Sequence, residues 1–403
     1  MNEQRVPALT FSDVAVGTGI WLVTSMLVIG AGIFGNAAVK PAVEPIPDLI
    51  SSFCHWDGLW YIGIVGDGYK YPSGEASSTV FFPAYPCFAR TLGSQFGLSP
   101  QWSLLATSQL FMLLSLVALH AYLRRRYPNL PPHGATFGTT VFAVFPPTFF
   151  FRMAYSESLF FFLVTLTLLA VERRRSLVWI AFVVGLATAA RPVGIALVAI
   201  VVCETFRRSD FRVRGALRLV VLLPISIWGL LAYMAFLEGN FNEPLAFAKS
   251  QRYWNLDIDQ PFTDKLPSIL TFEPIWGAFG VETTRQTAVG VYVGGRCIPI
   301  SALNGFVYLS GIALVVVGRF RGWLGNGEFF AAIGLFAIPY VTRGYDSVLL
   351  SFARFTSVVV MIYPPLTIIL LKSPYFLRIA YLLLCTALLF LFSALFAANY
   401  LLL

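Results

Sequence analysis

Apolar stretches long enough to cross a bilayer recur along nearly the whole chain, and this recurrence limits the fold more than any motif does. A hydrocarbon core takes about 20 apolar residues per helical crossing. The pattern predicts about eleven spans, near residues 14–36, 102–123, 135–151, 156–172, 177–191, 193–206, 217–237, 297–318, 327–342, 355–371 and 376–401. Only 12% of the 403 residues are charged and 57% are hydrophobic, against about 25% charged in soluble domains. The predicted fold class is an all-α polytopic membrane protein, one membrane-embedded domain over 1–403 with two large polar loops at about 37–101 and 238–296. The first apolar stretch is longer than a signal-peptide core and lacks a small-residue cleavage site behind it, so a retained helix is expected. No internal repeat or inverted half is legible, which weighs against a repeat-built transporter.

Orientation follows from the basic residues. With the N-terminus inside, sixteen of the 28 Lys and Arg fall in short inner loops: Arg5, the runs Arg124 to Arg126 and Arg173 to Arg175, then Arg207, Arg208, Arg212, Arg214, Arg218, Arg319, Arg321, Lys372 and Arg378. Short loops are where the positive-inside rule has force. The net charge of +8 is therefore a topology signal, and no nucleic-acid partner is expected, since these runs flank spans and carry no recognition motif. The five cysteines have no metal-site spacing and there are only three histidines, so no metal site is expected. Cys54 and Cys87 share the first outer loop, which leaves a disulfide between them open. None of the asparagines stands in an Asn-x-Ser/Thr sequon, a mild sign that the outer face is not a glycosylating lumen.

With this topology, the residues suited to chemistry all fall on the outer side. HWDGLWYIGIVGDGY places Asp57 in the first outer loop beside His55, Trp56, Trp60 and Tyr61, followed by FFPAYP at Phe81 to Pro86. Asp57 reads either as a helix-capping carboxylate or as a functional acid. Its aromatic neighbours suit an interfacial belt or a sugar-stacking platform. Asp67 reads as a turn residue. FFFRMAYSESLF sets Arg152, Tyr155 and Glu157 at the next outer turn, and ATAARPVG sets Arg191 at the one after. PLAFAKSQRYW puts Gln251, Arg252 and Trp254 in the second large loop, and TRGYDSVLLSFARF carries Arg343, Asp346 and Arg354 to the mouth of the tenth span. The third to sixth spans are short, so their outer turns are expected in a recess below the bilayer surface. Ionisable groups at that depth are costly unless paired or facing water. Glu157 and Arg191 are therefore expected either as an ion pair that fastens helices or as walls of a polar cavity. Asp257 to Asp259, DID, resembles the metal-binding DxD of nucleotide-sugar transferases but has no Rossmann-like unit around it.

Taken in order, HWDGLWYIGIVGDGY, FFPAYP, AYSESLFFFL, ATAARPVG, PLAFAKSQRYW and the late Arg-Phe pair resemble the PIG-V family, the GPI mannosyltransferase 2 type, and especially its prokaryotic relatives. The likeness runs from about residue 50 to the tenth span; His55 stands where eukaryotic members commonly have arginine. The resemblance implies a GT-C-type glycosyltransferase fold. It also implies transfer of a sugar, usually mannose, from a polyprenyl-phosphate carrier on the non-cytoplasmic face, with the acid of the first outer loop, here Asp57, as catalytic base. The implied partners are a polyprenyl-phosphate-linked sugar, a glycan or glycolipid acceptor and membrane lipid, with no cofactor beyond the donor. The implied location is a prokaryotic plasma membrane with the site on its outer face, or the ER membrane in a eukaryote.

A single carboxylate suits this chemistry. A hydrolase normally needs one acid for the leaving group and one base for the nucleophile, whereas a lipid phosphate leaves as a stable anion without protonation. One base is enough for an inverting displacement. The leaving phosphate calls for fixed positive charge, and Arg191, Arg252 and Arg354 are the outer-side candidates. Arg354 also reads as an interfacial anchor that snorkels to the headgroups. His55, Trp56, Tyr61, Tyr155, Glu157, Gln251 and Trp254 complete the expected donor and acceptor site. Two alternatives remain at this level: a transporter or flippase of lipid-linked sugars, which requires polar groups at both ends of a path, and a non-catalytic subunit of a glycan-assembly complex.

Overall fold

A computed structural model describes residues 9–39, 48–72, 74–209, 212–254, 262–279, 290–293, 296–344 and 349–400. Its first long helix, Phe11–Ala38, opens on a capping box in which Thr10 N–H donates to Asp13 Oδ2 at 2.8 Å and Asp13 N–H donates to Thr10 Oγ1 at 3.3 Å. Asp13 is fully buried and also receives Arg124 Nε and Nη2 at 3.1 and 2.9 Å and His120 Nδ1 at 2.8 Å. This cluster fastens the start of the first helix to the end of the central helix, Pro100–Arg126. The central helix has proline in its first turn and three arginines in its last, where its dipole favours them. It packs against Phe11–Ala38, Ala84–Phe96 and Glu157–Glu172. The last helix, Tyr375–Ala397, lies against the first, and at Gly35 any Cβ would run into the Ala394 carbonyl. Glycine is what lets these two backbones touch.

The protein is an integral membrane protein, built of helices as its sequence predicts, and several of the expected spans are bent or short among the described residues. Among the described residues four helices are long and apolar enough to cross: Phe11–Ala38, Pro100–Arg126, Ala302–Phe320 and Tyr375–Ala397; two bent pairs raise the number to six. The expected spans 135–151 and 217–237 are those pairs. They bend by 79° between Gly134–Val144 and Pro146–Arg152 and by 49° between Arg212–Ser226 and Trp228–Phe241. The expected spans 156–172, 177–191, 193–206 and 327–342 hold helices of 16, 14, 10 and 14 residues. The span expected at 355–371 is split between Phe352–Ser357 and Tyr363–Lys372.

Proline explains several of these breaks, because it lacks a donor and drives the residue before it out of the helical region. Phe145 before Pro146 has ψ 125°, and Arg191 before Pro192 is extended at φ −153°, ψ 143°. Hydropathy averaged along the chain runs across such breaks unaltered. Short pieces are tolerated where neighbouring helices shield their backbone, as for Glu157–Glu172, which is buried over most of its length between Pro100–Arg126 and Leu177–Ala190.

One departure from an all-helical chain is a two-stranded antiparallel ribbon, Gly290–Val293 with Arg296–Pro299. The first large loop also docks on the second and on the helix Trp228–Phe241. Tyr233 Oη–H donates to the Thr79 carbonyl at 2.8 Å, Thr79 Oγ1 and Ser250 Oγ lie 3.2 Å apart, and the Phe82 and Phe247 rings pack at 5.3 Å. The broken helix ends meet under this docked pair of loops, at the end of the bundle that carries Asp57.

Candidate functional site

The segment that delivers Asp57 is a tight turn under strain. Asp48 caps the short helix Leu49–Ser52, its Oδ1 accepting from Ile50 and Ser51 N–H at 2.9 and 3.1 Å. The chain then turns through Trp56, at φ 58°, ψ −114°, a conformation costly for a residue with a Cβ. Tyr155 holds that turn in place: its hydroxyl donates to the His55 carbonyl at 3.1 Å and accepts from Asp57 N–H at 3.3 Å. Asp57 is thereby the first residue of the helix Asp57–Asp67. Its carboxylate does not cap that helix, contrary to the simplest reading of the sequence; it reaches across to Arg354.

Arg354 Nη1 donates to Asp57 Oδ2 at 2.8 Å, and its Nε lies 3.3 Å from Glu157 Oε1. Arg191 Nη1 donates to the same Glu157 oxygen at 2.5 Å. Two acids and two arginines from four separate stretches thus form one connected group. The Arg354 side chain is 9% exposed, Asp57 is 29% exposed and Glu157 1%. Arg354 is therefore not an interfacial anchor: its guanidinium is enclosed by the rings of Phe150, Tyr155 and Phe355, at 5.2 to 5.3 Å. Arg191 and Arg343 stand over the same Phe355 ring at 5.7 and 6.0 Å. Three guanidiniums around one ring exceed the two carboxylates of the group by one positive charge, and Asp57 lies at the edge of this corner with Oδ1 accepting no hydrogen bond among the described residues.

Asp57, Glu157, Arg191, Arg343, Arg354 and the rings of Trp56, Phe150, Tyr155 and Phe355 line one cavity of about 670 Å³. Trp56, Tyr61, Phe81 and Phe82 give it an aromatic wall, Gln251 closes it from the second loop, and Leu335, Ile338 and Val341 form an apolar side. Of the residues expected from the sequence, Trp56, Asp57, Tyr61, Tyr155, Glu157, Arg191, Gln251 and Arg354 are brought together here. His55 stands behind the wall, its ring 5.9 Å from Phe396 and its Nε2 3.4 Å from the Ala397 carbonyl. Burial pushes its imidazole below the usual value, so it is neutral at neutral pH and acts through its backbone carbonyl. The Arg252 and Trp254 side chains, Asp257 to Asp259 and Asp346 lie outside the described residues. Arg152, expected at this outer turn, is buried away from the cavity and donates to Thr148 and Thr24.

Lys265, Ser156 and Phe396 also line the cavity. In the sequence Lys265 is only one charge in a long loop, and no sequence signal marks Phe396. Cys54 and Cys87 are both free thiols. Among the described residues no three His, Cys, Asp or Glu side chains are grouped to hold a metal.

Residues 39–237 match the family described as Mannosyltransferase (PIG-V). The match makes this stretch similar to the PIG-V mannosyltransferases. It takes in the Asp57 turn, Glu157 and Arg191, whereas Gln251, Arg343 and Arg354 of the cavity lie beyond its end. No curated protein matches the chain significantly. Among solved structures it is similar to the apo oligosaccharyltransferase of Archaeoglobus fulgidus, with 12% identity and TM-score 0.49 over 96% of this chain and 56% of that one. It is also similar to AglB of the same organism in complex with an inhibitory peptide and a dolichol-phosphate, with 13% identity and TM-score 0.45 over 95% and 55%. The chain spans about half the length of those structures.

Proposed function

We propose that this protein moves a sugar, mannose by its family, from a polyprenyl-phosphate donor to a hydroxyl of a glycan or lipid-linked acceptor on the non-cytoplasmic face. Asp57 is the base. The acceptor oxygen attacks the anomeric carbon from the side opposite the phosphate, the bond from that carbon to the phosphate oxygen breaks, and the polyprenyl phosphate departs as an anion. The acceptor proton passes to the Asp57 carboxylate, and the anomeric configuration inverts. Arg354 and Arg191 hold the phosphate, with Arg343 adding charge at the same corner, while the Leu335, Ile338 and Val341 side suits the start of the polyprenyl chain.

The observation that carries this reading is the juxtaposition of a partly open carboxylate with a three-arginine corner inside one aromatic-walled cavity. Such a cavity suits a ligand that is anionic at one end and hydroxyl-rich at the other. A transport path would need polar groups at the opposite end as well. At that end the acids Asp13, Glu204 and Glu328 are each ion-paired with arginines. Reconstituted protein supplied with polyprenyl-phosphate mannose and extracted acceptors tests the proposal: labelled sugar transferred to the acceptor supports it, and movement of the intact donor across the bilayer without transfer overturns it.

A further inference from the structure

Glu157 is a carboxylate with unfinished hydrogen bonding. It is 1% exposed in the cavity wall, at the first turn of Glu157–Glu172. Both of its cationic partners meet on one oxygen: Arg191 Nη1 at 2.5 Å and Arg354 Nε at 3.3 Å from Oε1. The second oxygen, Oε2, is buried and has no hydrogen-bond partner among the described residues. Buried carboxylate oxygens rarely go unpaired, because the loss of hydration is not recovered.

The missing partner is a donor, since the charge of Glu157 is already met by two guanidiniums. A phosphate does not supply it, being an acceptor that the carboxylate repels. A neutral group that presents O–H at one edge and C–H at its faces does, and Tyr61, Tyr155 and Trp56 share the wall with Glu157 as surfaces for such faces. Asp57 and Glu157 are held by a single guanidinium, so a ring whose anomeric carbon stands before Asp57 brings its own hydroxyls within reach of Glu157. Resting on the proposed transfer, we infer that Glu157 Oε2 accepts a hydrogen bond from a ring hydroxyl of the transferred sugar, which makes Glu157 the residue by which the site discriminates between sugars. Sites built to bind a hydroxyl reject analogues that lack it far more strongly than apolar pockets discriminate by size.

The test compares mannosyl polyprenyl phosphate with its set of monodeoxymannosyl analogues as donors, using purified wild-type protein and the Glu157→Asp and Glu157→Gln variants. Glu157→Asp keeps the charge that the arginines need but withdraws the carboxylate by one methylene, so it serves even where Glu157→Gln fails to fold. In wild-type protein one deoxy donor is expected to lose at least about 10-fold in kcat/KM, and in Glu157→Asp that same penalty is expected to shrink to about 3-fold or less while the other donors keep their ranking. A flat deoxy profile, or a penalty of equal size in wild-type and variant, overturns the inference and leaves Glu157 as a fastening between helices. Absence of turnover with every polyprenyl-phosphate sugar overturns the transfer reading and the inference together, so the two failures are distinguishable.

Discussion

Replacing Arg354 by lysine takes a planar, multidentate cation from between two carboxylates and leaves a single ammonium. The guanidinium reaches Asp57 Oδ2 at 2.8 Å through Nη1 and Glu157 Oε1 at 3.3 Å through Nε, while lying against three aromatic rings at 5.2 to 5.3 Å. An ammonium keeps one of the two acids and gives up the fork that a phosphate also needs. One charge-assisted hydrogen bond is worth about 1.5–3 kcal/mol, and about 1.4 kcal/mol is tenfold in rate. Arg354→Lys is therefore expected to lower kcat/KM for the donor by roughly 10- to 150-fold. The assay is transfer by purified protein over a range of donor concentrations, alongside a thermal melt that checks folding. A rise in donor KM assigns the loss to phosphate binding, and a fall in kcat assigns it to the placing of Asp57. A folded variant within about 2-fold of wild type in both constants refutes the role given to Arg354.

Tyr155→Phe removes the hydroxyl that joins the His55 carbonyl to Asp57 N–H. It is expected to cost about 1–2 kcal/mol of stability and to lower turnover, read by chemical denaturation and by the transfer assay; unchanged values in both contradict the turn-holding role. For topology, in protein with Cys87 replaced, a cysteine at exposed Gln95 is expected to react with an impermeant thiol reagent from outside the cell. One at exposed Asn129, beyond the Arg124 to Arg126 run, is expected to stay unlabelled until the membrane is opened, and the opposite pattern removes the outer-face donor.

Charge in an apolar chain is conspicuous, which is why most of this site is legible in the amino-acid sequence alone. Asp57, Glu157, Arg191 and Arg354 stand out because each interrupts a hydrophobic setting and each falls on one side of the predicted topology. What the sequence hides is how they connect. Arg354 is 297 residues from Asp57, and no local pattern says that one guanidinium serves both Asp57 and Glu157. The strain at Trp56 is invisible for a similar reason, since it is imposed by Tyr155 from another segment. Hydropathy also passes over breaks in the helices, because Phe145, Arg191 and the Phe352–Tyr363 stretch change direction without changing their apolar character. Those changes of direction make the recess in which the site lies. The Asp13–His120–Arg124 cluster is a signal of the same kind as Glu157, a buried acid with a histidine and an arginine at helix ends, but its members are scattered over more than a hundred residues and only the fold joins them.

The central claim is that the Asp57 carboxylate takes the acceptor proton, and turnover of Asp57→Asn tests it most directly. Asparagine keeps the size of the side chain and an oxygen for Arg354 to bond, so the variant is expected to fold and to bind donor. An amide does not take the proton, and loss of general base catalysis costs about 100- to 10,000-fold. A fall in kcat of that order is expected, with donor KM little changed. A folded Asp57→Asn protein that turns over within about 10-fold of wild type contradicts it.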